Sequence, residues 1–172
     1  MKKWYSLLAL LIVLTLVSCK KESLAYRSEF DQSYQTWLRF KDSSHNSYQY
    51  LTVTSSVFGF GSETLVTVQA GKVTGRSYTS KQYANDGTGN STVLIQWTED
   101  ESSLLTHGID SVILTLDDIY EKARVDWLVK RGDATTYFET KNRGMISSCG
   151  YIPNGCQDDC FHGINIAYIK PY

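Results

Sequence analysis

The chain has 172 residues, of which 17 are lysine or arginine and 18 are aspartate or glutamate, which gives a net charge of −1. This balance lacks the basic excess with which nucleic-acid-binding proteins neutralise phosphates, so we expect no nucleic-acid partner. The length suits one domain with a hydrophobic core of its own.

The first 19 residues have the pattern of an exported bacterial protein. Lys2 and Lys3 are followed by an apolar stretch over residues 7–17 that Thr15 alone interrupts. A run of about 11 residues is too short to cross a membrane, which takes roughly 20, but it matches the apolar core of a secretory signal peptide. The stretch ends in Leu16-Val17-Ser18-Cys19, which resembles the lipobox of bacterial lipoproteins.

This resemblance implies that residues 1–18 are a lipoprotein signal peptide and that Cys19 is acylated as the first residue of the mature chain. Residues 19–29 would then be a polar tether and residues 30–172 a single α+β domain. Acyl chains on Cys19 would bind membrane lipid. We therefore expect a cell-envelope protein on a bacterial membrane, facing the periplasm or the exterior, where cysteines tend to pair. A signal peptide cleaved without lipidation is the alternative.

Residues 31–107 are predicted to form one helix and four strands. Asp31 can cap a helix that runs to about Lys41, because apolar side chains recur there at helical spacing. Alternating patterns predict strands over residues 48–54, 64–69, 73–83 and 92–99. Ala70-Gly71-Lys72 is a tight turn, which makes the second and third strands a hairpin. Residues 98–107 are polar and predicted to be irregular.

The second half of the chain repeats this order of a helix followed by strands. Thr115 can cap a helix that runs to about Lys130, with Asp117 and Asp118 in the first turn, where the helix dipole favours acids. Strands are predicted over residues 135–140, 145–152 and 164–169. Short turns between consecutive strands imply antiparallel pairing. We therefore predict an α+β fold, an antiparallel sheet with two main helices packed on one face.

Short motifs between residues 48 and 159 occur in a recognisable order. They are Tyr48-Gln49-Tyr50, Gly71-Lys72-Val73, Leu114-Thr115-Leu116-Asp117-Asp118-Ile119-Tyr120, Tyr137-Phe138-Glu139, Gly144 and Asp158-Asp159. In this order the chain resembles a family of small secreted or lipid-anchored bacterial proteins catalogued as a domain of unknown function. The resemblance covers most of residues 30–170 and implies location and fold class only, because no activity, substrate or cofactor is established for that family. The cysteines depart from its shorter members.

Residues 148–163 contain three of the four cysteines and form the chemically most varied segment of the chain. We expect one disulfide among Cys149, Cys156 and Cys160, which would staple the loop between the last two strands and leave one thiol over. Spacing alone does not choose the pair.

Two metal sites are alternatives to a simple disulfide loop. Three thiolates with His162 would form the tetrahedral set that zinc prefers, although the usual two-residue knuckles are missing. Oxygens from Asp158, Asp159 and Asn154 would suit calcium, although the spaced acids of a calcium loop are missing. We therefore expect no metal cofactor and treat Asp158, Asp159 and His162 as a candidate ligand loop.

The enzymatic alternative is a thiol nucleophile at Cys156 or Cys160 with His107 or His162 as its base. No protease or thiol-exchange motif surrounds either cysteine, and we expect no enzyme. The preferred hypothesis is a non-enzymatic, membrane-anchored domain that binds an envelope protein or another envelope component. A metal- or thiol-dependent enzyme and an inhibitor-like module, each using the loop from Cys149 to His162, are the alternatives.

Overall fold

The computed structural model describes residues 23–84, 87–108 and 113–172, so the predicted signal peptide and Cys19 lie outside the described residues. A helix and four strands come first: α1 (Arg27–Ser43), β1 (Tyr48–Ser55), β2 (Phe60–Gln69), β3 (Lys72–Tyr83) and β4 (Ser91–Asp100). Helix α2 (Leu116–Lys122) continues into a π-helical turn (Ala123–Trp127). Three strands complete the fold: β5 (Ala134–Glu139), β6 (Ser148–Pro153) and β7 (His162–Pro171).

The seven strands form one antiparallel sheet in the order β4-β3-β2-β1-β7-β6-β5. The predicted hairpin between β2 and β3 is confirmed, with Gln69 opposite Lys72. Its two turn residues, Ala70 and Gly71, have φ angles of 46° and 81°, as a two-residue hairpin turn requires. Strand β1 is central and pairs with both β2 and β7, so the last strand joins the two halves of the chain.

The predicted α+β arrangement with two main helices packed on one face is wrong. The fold is mixed, but the seven-stranded sheet dominates it and the two helices are short. The second helix was expected to reach Lys130, whereas its α-helical part ends at Lys122 and the next turn widens, with Leu128 N donating to Ala123 O at 2.9 Å. Trp127 and Leu128 both lie in the core, as the apolar stripe of the sequence predicts. The π-helical turn that leads to them is not indicated by a helical period of 3.6 residues.

The folded domain begins before the predicted boundary at residue 30. Leu24 is buried and forms a β-bridge with Val129, and α1 begins at Arg27. The predicted cap at Asp31 is therefore wrong: Tyr26 precedes the helix in a left-handed conformation without a side-chain cap. Phe30, in the first turn, is buried, so the apolar face of α1 starts upstream of Asp31.

An aromatic core joins the helices to the sheet. Trp37 of α1 is fully buried and meets Tyr48 of β1 edge-on and Tyr120 of α2 face-on, with ring centroids 5.2 and 6.2 Å apart. Tyr48 OH accepts a hydrogen bond from Leu116 N at 2.9 Å, and Tyr120 OH lies 2.8 Å from Ser33 Oγ. Burial raises the pKa of Tyr120 to about 12. The buried hydroxyls are thus neutral and hydrogen-bonded, as buried polar groups generally are.

Thr115 caps α2 as predicted. Its Oγ1 accepts from Asp118 N at 3.2 Å, and Asp118 Oδ2 accepts from Thr115 N at 2.9 Å, which forms a capping box. The cap fixes where the chain enters the helix and so positions the preceding residues, Ile113 and Leu114, beside the sheet.

In the described part of the chain, no helix is both long enough and apolar enough to cross a membrane.

Candidate functional site

The candidate site is a cleft at the point where β1 and β7 stop pairing. The two strands pair from Tyr48 and Pro171 to Thr52 and Ile166, and the described residues show no β1–β7 pairing beyond that point. Strand β1 continues along β2 to Ser55, whereas β7 starts out along β6. The sheet therefore separates into two edges, which we call the β1 lip (residues 53–55) and the β7 lip (residues 162–165).

The cleft between the two lips has a volume of about 750 Å³. Val53 and Thr54 of the β1 lip both line it, and so do Ile164 and Asn165 of the β7 lip. Consecutive side chains of a strand point to opposite faces of the sheet. The lining side chains of β1, β2 and β3 nevertheless belong mostly to one face, because Thr52 and Thr54 are paired with Thr64 and Ser62. The cleft therefore lies mainly on that face and extends at Val53 into the gap between the lips.

Hydroxyl groups and aromatic rings make up much of the cleft lining. The hydroxyls belong to five threonines and serines, and the rings to four aromatic residues: Thr52, Thr54, Ser55, Ser62, Thr64, Tyr50, Tyr78, Trp97 and Phe161. Thr54 Oγ1 and Ser62 Oγ lie 2.7 Å apart, and Tyr50 OH donates to Leu114 O. The charged residues in this lining are Arg76 and Asp159.

A buried ion pair closes the β4 side of the cleft. Arg76 and Glu99 are 5% and 1% exposed, and Arg76 Nε donates to Glu99 Oε2 at 2.9 Å. The same carboxylate accepts from Leu105 N and His107 N at 3.1 and 2.9 Å, and His107 Nδ1 lies 3.0 Å from Oε1. Burial by itself raises the pKa of Glu99, but these hydrogen bonds, led by those of His107, outweigh it and lower that pKa to about 2. Glu99 is therefore ionised and its oxygens are occupied.

This ion pair was not predicted, and residues 98–107 were expected to be irregular. In the pairing of β3 with β4, Tyr78 is opposite Trp97 and Arg76 is opposite Glu99. The Trp97 ring stacks on Tyr78 at 5.2 Å and on His107 at 4.6 Å. The sequence signal for the ion pair was the alternation of one charged and one aromatic residue in each strand, Arg76 with Tyr78 and Glu99 with Trp97. These residues share the face of the hairpin that turns inward. His107, a predicted base for a thiol nucleophile, is instead a hydrogen-bonding partner of Glu99.

Acidification is expected to destabilise the domain through Glu99. An unperturbed glutamate has a pKa of about 4.3, and the folded-state pKa of Glu99 lies below it, at about 2. The stabilisation from the ionised carboxylate is therefore complete above pH ~5 and is lost as the pH falls towards 2. We expect Glu99→Gln to melt several degrees lower at neutral pH and to show a smaller fall in Tm between these pH values, by circular dichroism.

Glu139 provides the matched control for this pH series. Its carboxylate pairs with Lys141 at 2.8 Å, but both side chains are largely in solvent, where such pairs contribute little. Glu139→Gln should therefore retain the full acid dependence of Tm. An acid dependence that is the same in Glu99→Gln and in the unsubstituted protein would contradict the assignment.

The loop over residues 154–161 forms the rim of the cleft next to the β7 lip. Cys156 and Cys160 form a disulfide within it, which confirms the prediction of a single disulfide and selects the pair that tightens the loop itself. Cys149 is a free, fully buried cysteine in β6. Burial raises the pKa of the Cys149 thiol, so this thiol is protonated and shielded.

The other predicted ligands of this segment do not converge. His162 is exposed and stacks on Tyr151 at 5.1 Å, Asp158 is exposed, and Asp159 faces the cleft. Among the described residues, no group of three or more histidine, cysteine or acidic side chains is arranged to hold a metal ion. The predicted nucleophiles Cys156 and Cys160 are bonded to each other, so neither is a thiolate in this form.

Thiol counting on the chain from Lys20 onward is expected to give a stepwise result. The folded protein should not react with a thiol reagent, because its free cysteine, Cys149, is buried. Denaturant without reductant should expose one thiol, and denaturant with reductant three. Cys149→Ser should remove the thiol that denaturant alone exposes. Two or more reactive thiols in the folded protein would contradict the disulfide.

Phe161 positions the disulfide loop against the sheet. Its ring lies over Gly150 and Gly163, which are paired across β6 and β7. A Cβ atom added to Gly150 or to Gly163 would come within 2.6 or 2.8 Å of Phe161 Cζ. The missing side chains therefore make room for the ring, and the ring in turn places Asp159 and Cys160 at the cleft.

Comparisons of the chain with protein-family models, with curated proteins and with solved structures found no match. The resemblance to a family of secreted or lipid-anchored proteins therefore stays a prediction from short motifs.

Proposed function

We propose that this chain is a lipid-anchored, non-enzymatic binding domain of the bacterial cell envelope, and that its cleft holds an extended, uncharged segment of a partner protein. The observation that supports the proposal best is the separation of the β1 lip from the β7 lip, which leaves two strand edges on either side of a cleft of about 750 Å³.

Strand edges recognise extended polypeptides through backbone hydrogen bonds. Because β1 and β7 are antiparallel, an inserted segment would run antiparallel to one lip and parallel to the other. The hydroxyls of Thr54 and Ser62 can donate and accept hydrogen bonds. A neutral segment fits best, because the Arg76 guanidinium is already engaged by Glu99 and the other charged residue of the lining, Asp159, is exposed to solvent at the rim.

The anchor is the second part of the proposal. Its support is the basic start, the apolar stretch over residues 7–17 and the lipobox-like end at Cys19. The non-enzymatic part rests on the chemistry of the described residues, in which Glu99 is fully hydrogen-bonded, Cys156 and Cys160 are oxidised, and Cys149 is buried.

The binding proposal is tested with a library of displayed random peptides and the chain from Lys20 onward. This chain retains the whole hydrophobic core, which extends from Leu24 to Ile169. Hydrogen exchange is then measured with and without a selected peptide. We expect slower exchange at the amides of the β1 lip and of the β7 lip together, because both edges would gain hydrogen bonds.

Two threonines provide matched variants for the same experiment. Thr54 lines the cleft, and Thr98 is exposed elsewhere; each is hydrogen-bonded to a serine of the neighbouring strand, at 2.7 and 3.0 Å. Thr54→Arg should weaken peptide binding by at least about tenfold, or ~1.4 kcal/mol, whereas Thr98→Arg should not change it. Selected peptides that protect neither lip, or that bind both variants equally, would contradict the cleft as the binding site.

A further inference from the structure

The hairpin between β1 and β2 ends in a group of exposed apolar side chains. Val57 is 85% exposed, Phe58 71% and Phe60 45%. No residue from Thr54 to Ser62 is charged. We call Val57, Phe58 and Phe60 the apolar tip. Exposed apolar groups of this kind on an otherwise folded domain mark contact surfaces.

Hydrogen bonds hold the apolar tip in its exposed position. Ser56 N donates to Phe60 O at 2.7 Å, and Gly59 N donates to Ser56 O at 3.1 Å. Gly59 has a φ of 81°, which glycine adopts at little cost. Its carbonyl accepts from Tyr83 N at 2.7 Å, which fixes the hairpin to the end of β3. The apolar side chains are therefore presented outward by an ordered turn.

The apolar tip lies at the same end of the sheet as the start of the described chain. Strands β1 and β6 run parallel, since both are antiparallel to β7, so Ser55 and Pro153 finish at the same end. Pro153 is opposite Ala134 at the beginning of β5. Ser23 O accepts from Lys130 N at 3.0 Å, a few residues before that strand. The chain thus enters the domain at the end that carries the tip.

The length of the preceding segment limits how far this end can be from the proposed anchor. Cys19 and Ser23 are four residues apart in the sequence, and a fully extended chain covers at most about 3.6 Å per residue. Lipidated Cys19 would therefore hold Ser23 within roughly 14 Å of the membrane surface. The opposite end of the sheet, where Tyr172 N donates to Ser47 O, would face away from it.

We infer that the apolar tip is a second membrane contact, which enters the interfacial layer of the bilayer that holds the anchor and sets the orientation of the domain. This inference rests on the lipid anchor of the proposed function. Apolar side chains and tyrosines are favourable in the interfacial layer, and Tyr83, 41% exposed, lies beside the tip.

The test uses the full lipidated chain, reconstituted into vesicles of phosphatidylethanolamine and phosphatidylglycerol. A fluorophore is attached to Tyr83→Cys next to the tip or to Tyr172→Cys at the opposite end, where Tyr172 is 61% exposed. Cys149 is buried and does not compete for the label. Lipids with a nitroxide in the headgroup region should quench the label at residue 83 severalfold more than the label at residue 172.

Replacing the two most exposed side chains of the apolar tip separates the contribution of the tip from that of the anchor. In the Val57→Ser, Phe58→Ser double variant, the label at residue 83 should lose most of this extra quenching, while the protein stays bound to vesicles through Cys19. Equal quenching at both positions, or quenching that survives in the double variant, overturns the inference while leaving the anchor in place. An intact mass that shows Cys19 without acyl chains overturns the anchor as well. The peptide-binding test uses a chain without Cys19, so its result is independent of both.

Discussion

Replacing Gly163 with alanine is expected to destabilise the domain and to displace the disulfide loop from the cleft. The added Cβ would overlap Cys149 O and would lie 2.6 Å from Gly150 Cα and 2.8 Å from Phe161 Cζ. Two of these three neighbours are backbone atoms of β6, so the strands or the loop must move. Overpacking of this kind costs about 1–3 kcal/mol. We expect a lower free energy of unfolding in urea and faster hydrogen exchange over residues 154–161.

Gly132 provides the control for this substitution, because nothing lies within 4 Å of a Cβ atom placed there. Gly132→Ala should leave the unfolding free energy and the exchange of the loop almost unchanged. If the cleft is the binding site, Gly163→Ala should also weaken the binding of a selected peptide, since Gly163 and Phe161 both line the cleft. A Gly163→Ala protein with unchanged stability would show that the glycine pair does not position Phe161.

Side-chain alternation located the strands approximately, although burial does not alternate in every strand, since β4 is exposed along most of its length. The first strand was predicted over residues 48–54 and spans Tyr48–Ser55, and the turn at Ala70-Gly71 set the pairing of β2 with β3. The helices were harder to predict. The capping residues of α2 located its start at Thr115, but the widened turn that follows depends on packing against the sheet.

The cleft could not be predicted, because it depends on where two strands far apart in the sequence stop pairing. Nothing local to Thr52 or Ile166 indicates that separation. The disulfide was predicted only as one pair among Cys149, Cys156 and Cys160. Alternation in β6 does not choose the pair, because the neighbouring residues Cys149 and Gly150 are both buried. The burial of Cys149 in the folded sheet leaves Cys156 and Cys160 as the two cysteines of the exposed loop.

Trp37→Ala is expected to produce the largest loss of stability. The indole is fully buried between α1, β1 and α2, and its Nε1 donates to Asp117 Oδ1 at 3.0 Å. Removing it leaves a cavity at the junction of three elements, and substitutions of this kind cost about 3–5 kcal/mol. Small domains have a total stability of only about 5–15 kcal/mol. Urea unfolding monitored by circular dichroism should therefore show a much lower midpoint with an unchanged denaturant slope.

Two further variants separate the packing of Trp37 from its hydrogen bond. Trp37→Phe keeps an aromatic ring at the site but removes the hydrogen-bond donor to Asp117, whose other oxygen still pairs with Lys41 at 2.7 Å. We therefore expect a smaller loss of unfolding free energy than in Trp37→Ala. The missing hydrogen bond should account for about 1 kcal/mol of it. Tyr34→Ala, one turn away on α1, removes a ring that is 37% exposed and should also cost less than Trp37→Ala. If Trp37→Ala and Tyr34→Ala lower the unfolding free energy equally, the burial of Trp37 does not fix α1 to the sheet. We expect instead that Trp37→Ala lowers the unfolding free energy far more than either other variant, because the loss follows the buried volume that each substitution removes.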